Sequence, residues 1–368
     1  MWYQLQNESE IASPGLLFYH DRIRENISRM IKMAGSPERL VPHIKTHKTR
    51  EIVLLQMEQG IRKFKCATIA EAEMLASTGA KWILIAYQLV GPNIDRLIQL
   101  KEKFPDVYFA SLLDDLATAQ TLSDFCNQKK LEGSVFLDVN VGMNRSGATA
   151  AFLTEIIDSI KTLPNIQIDG LHIYDGHIHT VDFDQRKKEV DRGFNQAQKL
   201  IEVFIEKIGK EPVIIAGGSP SFNVHTFRPG VLLSPGTNVL WDAGYGEKFK
   251  DQDFLGAAII LSRIISKPSV GLITLDLGHK AIAAENPIER RIKILNLDNY
   301  QLLSQSEEHG VIQVPDDIWH LAQVGDVYYI QPYHICPTVA LHEYAHIVKN
   351  GWAQEEWQII ARKRRINI

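Results

Sequence analysis

The chain has 368 residues, of which 45% are hydrophobic and 23% charged, and its formal net charge is -4. This is the make-up of an ordinary globular protein long enough for two domains, and it offers no case for nucleic acid or a membrane surface as partner. Three widely separated cysteines, Cys66, Cys126 and Cys336, argue for a reducing compartment without a disulfide framework.

The N-terminal run MWYQLQNESEIASPG lacks a positive segment followed by an apolar core, and no apolar run approaches the roughly 20 residues of a membrane span. A cytoplasmic location is expected. From about Pro14 to Asp242, short β-branched runs alternate with longer amphipathic ones. In chain order a helix at 20–34 precedes a strand at 39–44, and a helical run from Arg50 to Ile61 precedes a strand at 63–68. Helices at 70–78, 91–103, 114–128, 149–162 and 183–208 then alternate with strands at 82–87, 106–112, 134–140, 166–174, 212–216 and, more weakly, 230–235. Eight strands alternating with helices predict an α/β fold, a (β/α)8 TIM-type barrel, with an open doubly wound sheet as the alternative.

After Tyr245 the rhythm changes to short apolar runs broken by turn residues, with little room for crossover helices. That pattern predicts an antiparallel β domain. The expected division is a barrel over 12–248 and a C-terminal β domain over 249–368, with 1–11 as an optional addition to the β domain.

Candidate chemistry falls at strand ends. In Pro42-His43-Ile44-Lys45-Thr46-His47-Lys48 a lysine stands where a buried run gives way to helical spacing, the position that faces the reaction in a parallel barrel. A desolvated lysine flanked by cationic groups has a lowered pKa, and its neutral amine condenses with an aldehyde. Arg145, just past the strand 134–140, can reach the same mouth, where a fixed cation would tune a bound ring. Gly217, Gly218 and Ser219 follow the strand 212–216 and form a candidate phosphate cradle, since glycines let backbone amides approach phosphate oxygens. Tyr174, Asp175, His177 and His179 follow the strand 166–174, and the two histidines, at strand spacing, read as hydrogen-bonded lining.

His334 and Cys336, two residues apart in a segment read as extended, project to one face and can share a borderline-soft ion, zinc by donor type. Just downstream, His342-Glu343-Tyr344-Ala345-His346 satisfies the H-E-x-x-H pattern of zinc proteases. That motif needs a helix, and the flanking runs 337–339 and 347–348 read as strands, so the protease reading is set aside.

The blocks VPHIKTHKT, FKCATIAEAEMLA, LIAYQLVGPN, LDVNVGMNRSG, GLHIYDGHIH, AGGSPSF, SPGTNVLWDAGY, SEEHG and PYHICPTV run in order across nearly the whole chain. Together they resemble the D-threonine aldolase and D-serine dehydratase family of fold-type III, alanine-racemase-like pyridoxal-phosphate enzymes. The resemblance implies that Lys45, rather than Lys48, carries pyridoxal 5'-phosphate covalently, and that Arg145 and Tyr174 contact the cofactor. It further implies a divalent metal on His334 and Cys336, zinc or alternatively manganese, for the substrate's β-hydroxyl. A homodimer acting on small D-amino acids is expected, with Lys45 and His334 as catalytic residues. Retro-aldol cleavage to glycine and an aldehyde leads, on the blocks SPGTNVLWDAGY and AYQLVGPN. Dehydration of D-serine to pyruvate and ammonia stands as the alternative because of Cys336, ahead of a racemase or a non-catalytic cofactor-binding protein.

Overall fold

A computed structural model describes residues 1–368, whose contacts divide into two units. The first comprises residues 30–45, 53–236 and 363–368. Its sheet is parallel throughout, in the order Lys63–Cys66, Trp82–Gln88, Tyr108–Leu113, Gly133–Val139, Ile166–Ile173, Val213–Ala216 and Leu232–Leu233. The expected strand at 39–44 survives only as two parallel bridges, Leu40 to Leu233 and His43 to Lys65. Those bridges close the ring: Val41 N donates to Leu233 O at 2.8 Å, His43 N to Pro235 O at 2.7 Å, and Lys65 N to Pro42 O at 3.0 Å. Pro42 lacks an N–H and so cannot continue a ladder, which accounts for bridges in place of a full strand.

Every residue of Gly133–Val139 is buried, as a strand covered on both faces requires. Inside the barrel Leu84, Ala110, Leu112, Phe136 and Ile215 pack together. The helices begin on side-chain caps: Thr68 accepts from Glu71 N, Asp115 from Thr118 N, Thr149 from Phe152 N and Asp182 from Gln185 N. The single helix expected over 183–208 is two, Phe183–Gln196 and Gln198–Ile208, with a break at Ala197.

The second unit comprises 1–29, 46–52 and 237–362. Its nine-stranded sheet is organised by the twelve-residue strand Ala258–Ser269, which pairs with Gly15–Tyr19, Leu272–Leu275 and Val327–Pro332. The sheet is mixed, because Gly15–Tyr19 runs parallel to Tyr344–Lys349 while the other pairs are antiparallel. Here the structure departs from the expected boundaries. All five residues of Gly15-Leu-Leu-Phe-Tyr19 are buried, and Leu17 and Tyr19 pack with Tyr3, Leu5, Ile259, Leu261 and Tyr329, so residues 12–29 fall in the unit of this sheet rather than in that of the barrel. Residues 237–248 do the same. No helix is long and apolar enough to cross a membrane.

Candidate active site

The barrel mouth starts from the bridging segment. Past His43 the chain tightens into the 3-10 turn Ile44–Thr46, leaving Lys45 half-buried with its N–H donated to His43 Nδ1 at 3.3 Å. Lys65 shares a register with Leu84, a barrel-interior residue, and so points inward. Only 2% of it is exposed. Burial pulls its ammonium down to about 7, with Lys45 and Arg145 adding to the effect and Asp138 and Asp175 opposing it.

Lys65 Nζ lies 3.4 Å from His172 Nε2, and His172 Nδ1 lies 2.7 Å from Asp138 Oδ1. Burial lowers the pKa of His172, keeping the ring neutral, and Lys65 acts in the same direction. Burial alone would raise Asp138, but bonds from His172, Gln88 and Ser146 outweigh it and hold the carboxyl below its usual range. A neutral ring beside an ionised carboxylate donates through Nδ1 and accepts at Nε2, so Lys65 is the donor to His172. Gln88 bridges Asp138 and Asp114 at 2.7 and 2.9 Å.

Tyr174 follows directly. Its ring stacks on His172 at 16°, with Arg145 Cζ 5.2 Å and Lys65 Nζ 5.6 Å from the ring centroid, within reach of cation–π attraction. Residues Asp138, His172, Tyr174 and Arg145 line a small cavity. On the neighbouring strand end Gly217 has φ +79°, and a Cβ there would meet His225 Cδ2 at 2.7 Å; at Gly218 it would meet Tyr174 Cε2 at 2.8 Å. Of the loop amides, Gly217 N donates to Ile173 O and Gly218 N to Ser221 Oγ. Ser219 Oγ accepts from Gly236 N at 3.2 Å. The loop is braced from below by buried Asp175, which accepts from Ser221 Oγ at 2.5 Å and pairs with His225 Nε2 at 2.8 Å. The Ser234 hydroxyl, at the end of the next strand, is buried without a hydrogen-bond partner. An amine, a glycine loop, a cation-flanked aromatic ring and an orphaned hydroxyl fit a phosphorylated aromatic aldehyde.

In the sheet unit, His334 is extended (φ -140°, ψ 101°) but caps the helix Ile335–Leu341, so Cys336 lies in a first helical turn and not in a strand. The two side chains nevertheless meet: burial works against a charged His334, but Cys336, Glu285 and Asp242 outweigh it and raise the ring to about 9. Glu285 bonds His334 Nδ1. Cys336 Sγ lies 3.1 Å from Thr46 Oγ1 and 3.5 Å from Thr237 Oγ1. Asp242, raised to about 6 by burial, accepts from Tyr245 N and Ile335 N. No group of three or more His, Cys, Asp or Glu side chains is arranged to hold a metal. The imidazole and thiol with a carboxylate behind the imidazole fit a divalent ion that takes its remaining ligands from elsewhere.

The runs 337–339 and 347–348, both read as strands, differ in outcome: Pro337, Thr338 and Val339 are helical, while Tyr344–Lys349 is a strand. His342 ends the helix and His346 belongs to the strand, so the protease motif never shares a helical face. His177 and His179 are exposed and therefore not barrel lining. Sequence reading missed Lys65, His172 and Asp138. Their inward alternation was visible in KFKCAT, SVFLDVN and GLHIY, but the pairing that joins them across strands was not.

These features define a closed parallel β/α barrel with an amine and a glycine loop at the C-terminal ends of its strands. The model of the alanine racemase N-terminal domain matches residues 19–237, and this chain belongs to that family; the model of a serine dehydratase domain matches 257–348. A 3-hydroxy-D-aspartate aldolase of Paracoccus denitrificans (strain Pd 1222) is 27% identical over 97% of this chain and 93% of its own. A D-threonine aldolase of an Arthrobacter species is 26% identical over 88% and 85%, and a D-threo-3-hydroxyaspartate dehydratase of Delftia sp. (strain HT23) is 22% identical over 90% and 92%. Among solved structures, the D-threonine aldolase of Filomicrobium marinum superposes with a TM-score of 0.88, 25% identity and 98% of both chains.

Proposed function

We propose that this chain is a pyridoxal-phosphate-dependent lyase of D-amino acids bearing a β-hydroxyl, cleaving the Cα–Cβ bond to give glycine and an aldehyde. The observation that carries it is the convergence at one barrel mouth of Lys45, the Arg145–Tyr174 pair and the Gly217–Gly218–Ser219 loop. Full-length similarity to aldolases of hydroxy-D-amino acids supports the same reading.

Bound there, pyridoxal phosphate would supply an electron sink that weakens bonds at the substrate's α-carbon. Lys45 would hold it covalently, Gly217, Gly218 and Ser219 would take its phosphate, and Arg145 and Tyr174 would fix its ring. His334 and Cys336 hold a divalent metal, zinc by donor type or else manganese, for the substrate's β-hydroxyl; Glu285 orients the imidazole. The pairing of His334 with a thiol favours dehydration as the second reading, in which Lys45 takes the α-proton and D-serine yields pyruvate and ammonia. A cytoplasmic homodimer belongs to the same proposal. Three cysteines, none of them in a disulfide, suit a reducing compartment, and gel filtration checks the assembly.

The test is product analysis of metal-replete, cofactor-loaded enzyme with D-threonine, 3-hydroxy-D-aspartate and D-serine in separate reactions. Glycine with the matching aldehyde supports the aldolase. Pyruvate and ammonia from D-serine move the assignment to the dehydratase, and no product from any of the three overturns both.

A further inference from the structure

Lysines are seldom fully buried, and when they are, a carboxylate normally accompanies them. Lys65 breaks that pattern, for its direct partner is the neutral imidazole of His172. The acceptor is built for it. Asp138 and His172 are register partners on adjacent strands, and the Asp138 carboxylate takes the Nδ1 proton, so Nε2 presents its lone pair to Lys65 Nζ. The other side of Lys65 is fixed by the backbone, through its bridge to His43 and its bond to Pro42 O. That bridge puts Lys65 beside the segment that delivers Lys45 two residues later.

We propose that Lys65 is a positioning residue for the Lys45 centre, an amine aimed through His172 and Asp138 that sets the charge in the cavity where Lys45 holds its cofactor. The proposal rests on Lys45 being the cofactor lysine. The charged groups facing Lys65 are Lys45 and Arg145 as cations and Asp138 and Asp175 as anions. Packing alone gives no reason for an amine here, since a methionine would fill the same volume without desolvating a charge. With the ammonium pulled down to about 7 by burial, Lys65 is charged below neutrality and uncharged above it.

The experiment titrates the visible absorption of the cofactor-loaded enzyme from mildly acid to alkaline pH, in wild type, Lys65→Met and Lys65→Gln, alongside the pH profile of kcat/KM. Wild type is expected to show a spectral transition below the ordinary lysine range, because burial lowers the Lys65 ammonium. In both variants that transition moves by more than about one pH unit or disappears, with the cofactor still reducible by borohydride onto Lys45. A variant that is folded, loads cofactor and keeps the wild-type midpoint overturns the proposal. So does a wild type with no transition over this range. If wild type itself cannot be fixed on Lys45, the underlying assignment has failed instead, and the two failures are told apart by the same reduced samples.

Discussion

His172 Nδ1 and Asp138 Oδ1 are 2.7 Å apart on register-paired residues of adjacent strands, and this contact decides which nitrogen of His172 meets Lys65. The carboxylate accepts, the imidazole stays neutral, and Nε2 becomes an acceptor. An inward-facing polar line then runs from Asp114 through Gln88, Asp138 and His172 to Lys65.

Asp138→Asn removes the charge that selects this tautomer. The fold should survive, because the amide is isosteric, whereas kcat/KM should fall on the order of tenfold to a hundredfold, by analogy with the loss of a carboxylate that orients a metal-bound histidine. Steady-state kinetics with a circular dichroism check measures it. Unchanged kcat/KM would mean that the tautomer is irrelevant to turnover.

Lys65→Met should make the protein more stable at neutral pH while impairing it. The folded ammonium at about 7 lies below an unfolded value of about 10.4, so between those pH values the native state binds fewer protons than the unfolded one and stability rises with pH. Below pH 7 the whole penalty is present, bounded at roughly 5 kcal/mol. Urea unfolding at pH 6.5 should therefore favour the methionine variant by a few kcal/mol, and the advantage should shrink towards pH 10. An unfolding midpoint equal to or below that of wild type contradicts the assigned burial cost.

The glycine loop leaves no room for a methyl group. Gly217→Ala meets His225 at a positive φ, and Gly218→Ala meets the Tyr174 ring. Each should cost about 1–3 kcal/mol in stability, the usual price of overpacking. Gly218→Ala should additionally weaken cofactor binding by displacing Tyr174. Equilibrium binding of pyridoxal phosphate to the apoprotein, followed by absorbance, checks this; wild-type affinity in Gly218→Ala would remove Tyr174 from the cofactor's surroundings.

Much of this arrangement was legible in the sequence, and what escaped has a common cause. Arg145, Tyr174 and the Gly217–Ser219 loop announce themselves because each follows the end of a strand, and Lys45 because it follows the buried bridging segment. The strand 166–174 and the helix 20–34 were plain in their periods. Lys65, by contrast, reads as one more polar residue in an alternating strand until the bridge to His43 and the contact with His172, 107 positions later, are seen. The buried brace of Asp175, Ser221 and His225 is hidden in the same way, since Ser221 and His225 come from the next crossover. Gly15–Tyr19 was missed as a strand because its parallel partner lies more than 300 residues downstream, and local pattern cannot choose between a barrel and a sheet that recruits it from afar.

Glu285 holds His334 Nδ1, so Nε2 is the nitrogen left to a metal, which displaces the proton from it on binding. Glu285→Gln should lower zinc affinity of the metal-stripped protein by about tenfold to a hundredfold, and Cys336→Ala should lower it further because a ligand itself is gone. Calorimetric titration with zinc reads both. Equal affinity in wild type and Cys336→Ala would remove the thiol from the metal site.

The claim on which the rest depends is that Lys45 is the residue bound to the cofactor, and a nearby buried amine, Lys65, makes it sharply testable. Borohydride reduction of the loaded enzyme followed by peptide mass mapping should place the pyridoxyl group on the peptide containing Lys45 and leave the Lys65 peptide unmodified. A pyridoxyl group on Lys65, or on neither lysine, would contradict the account.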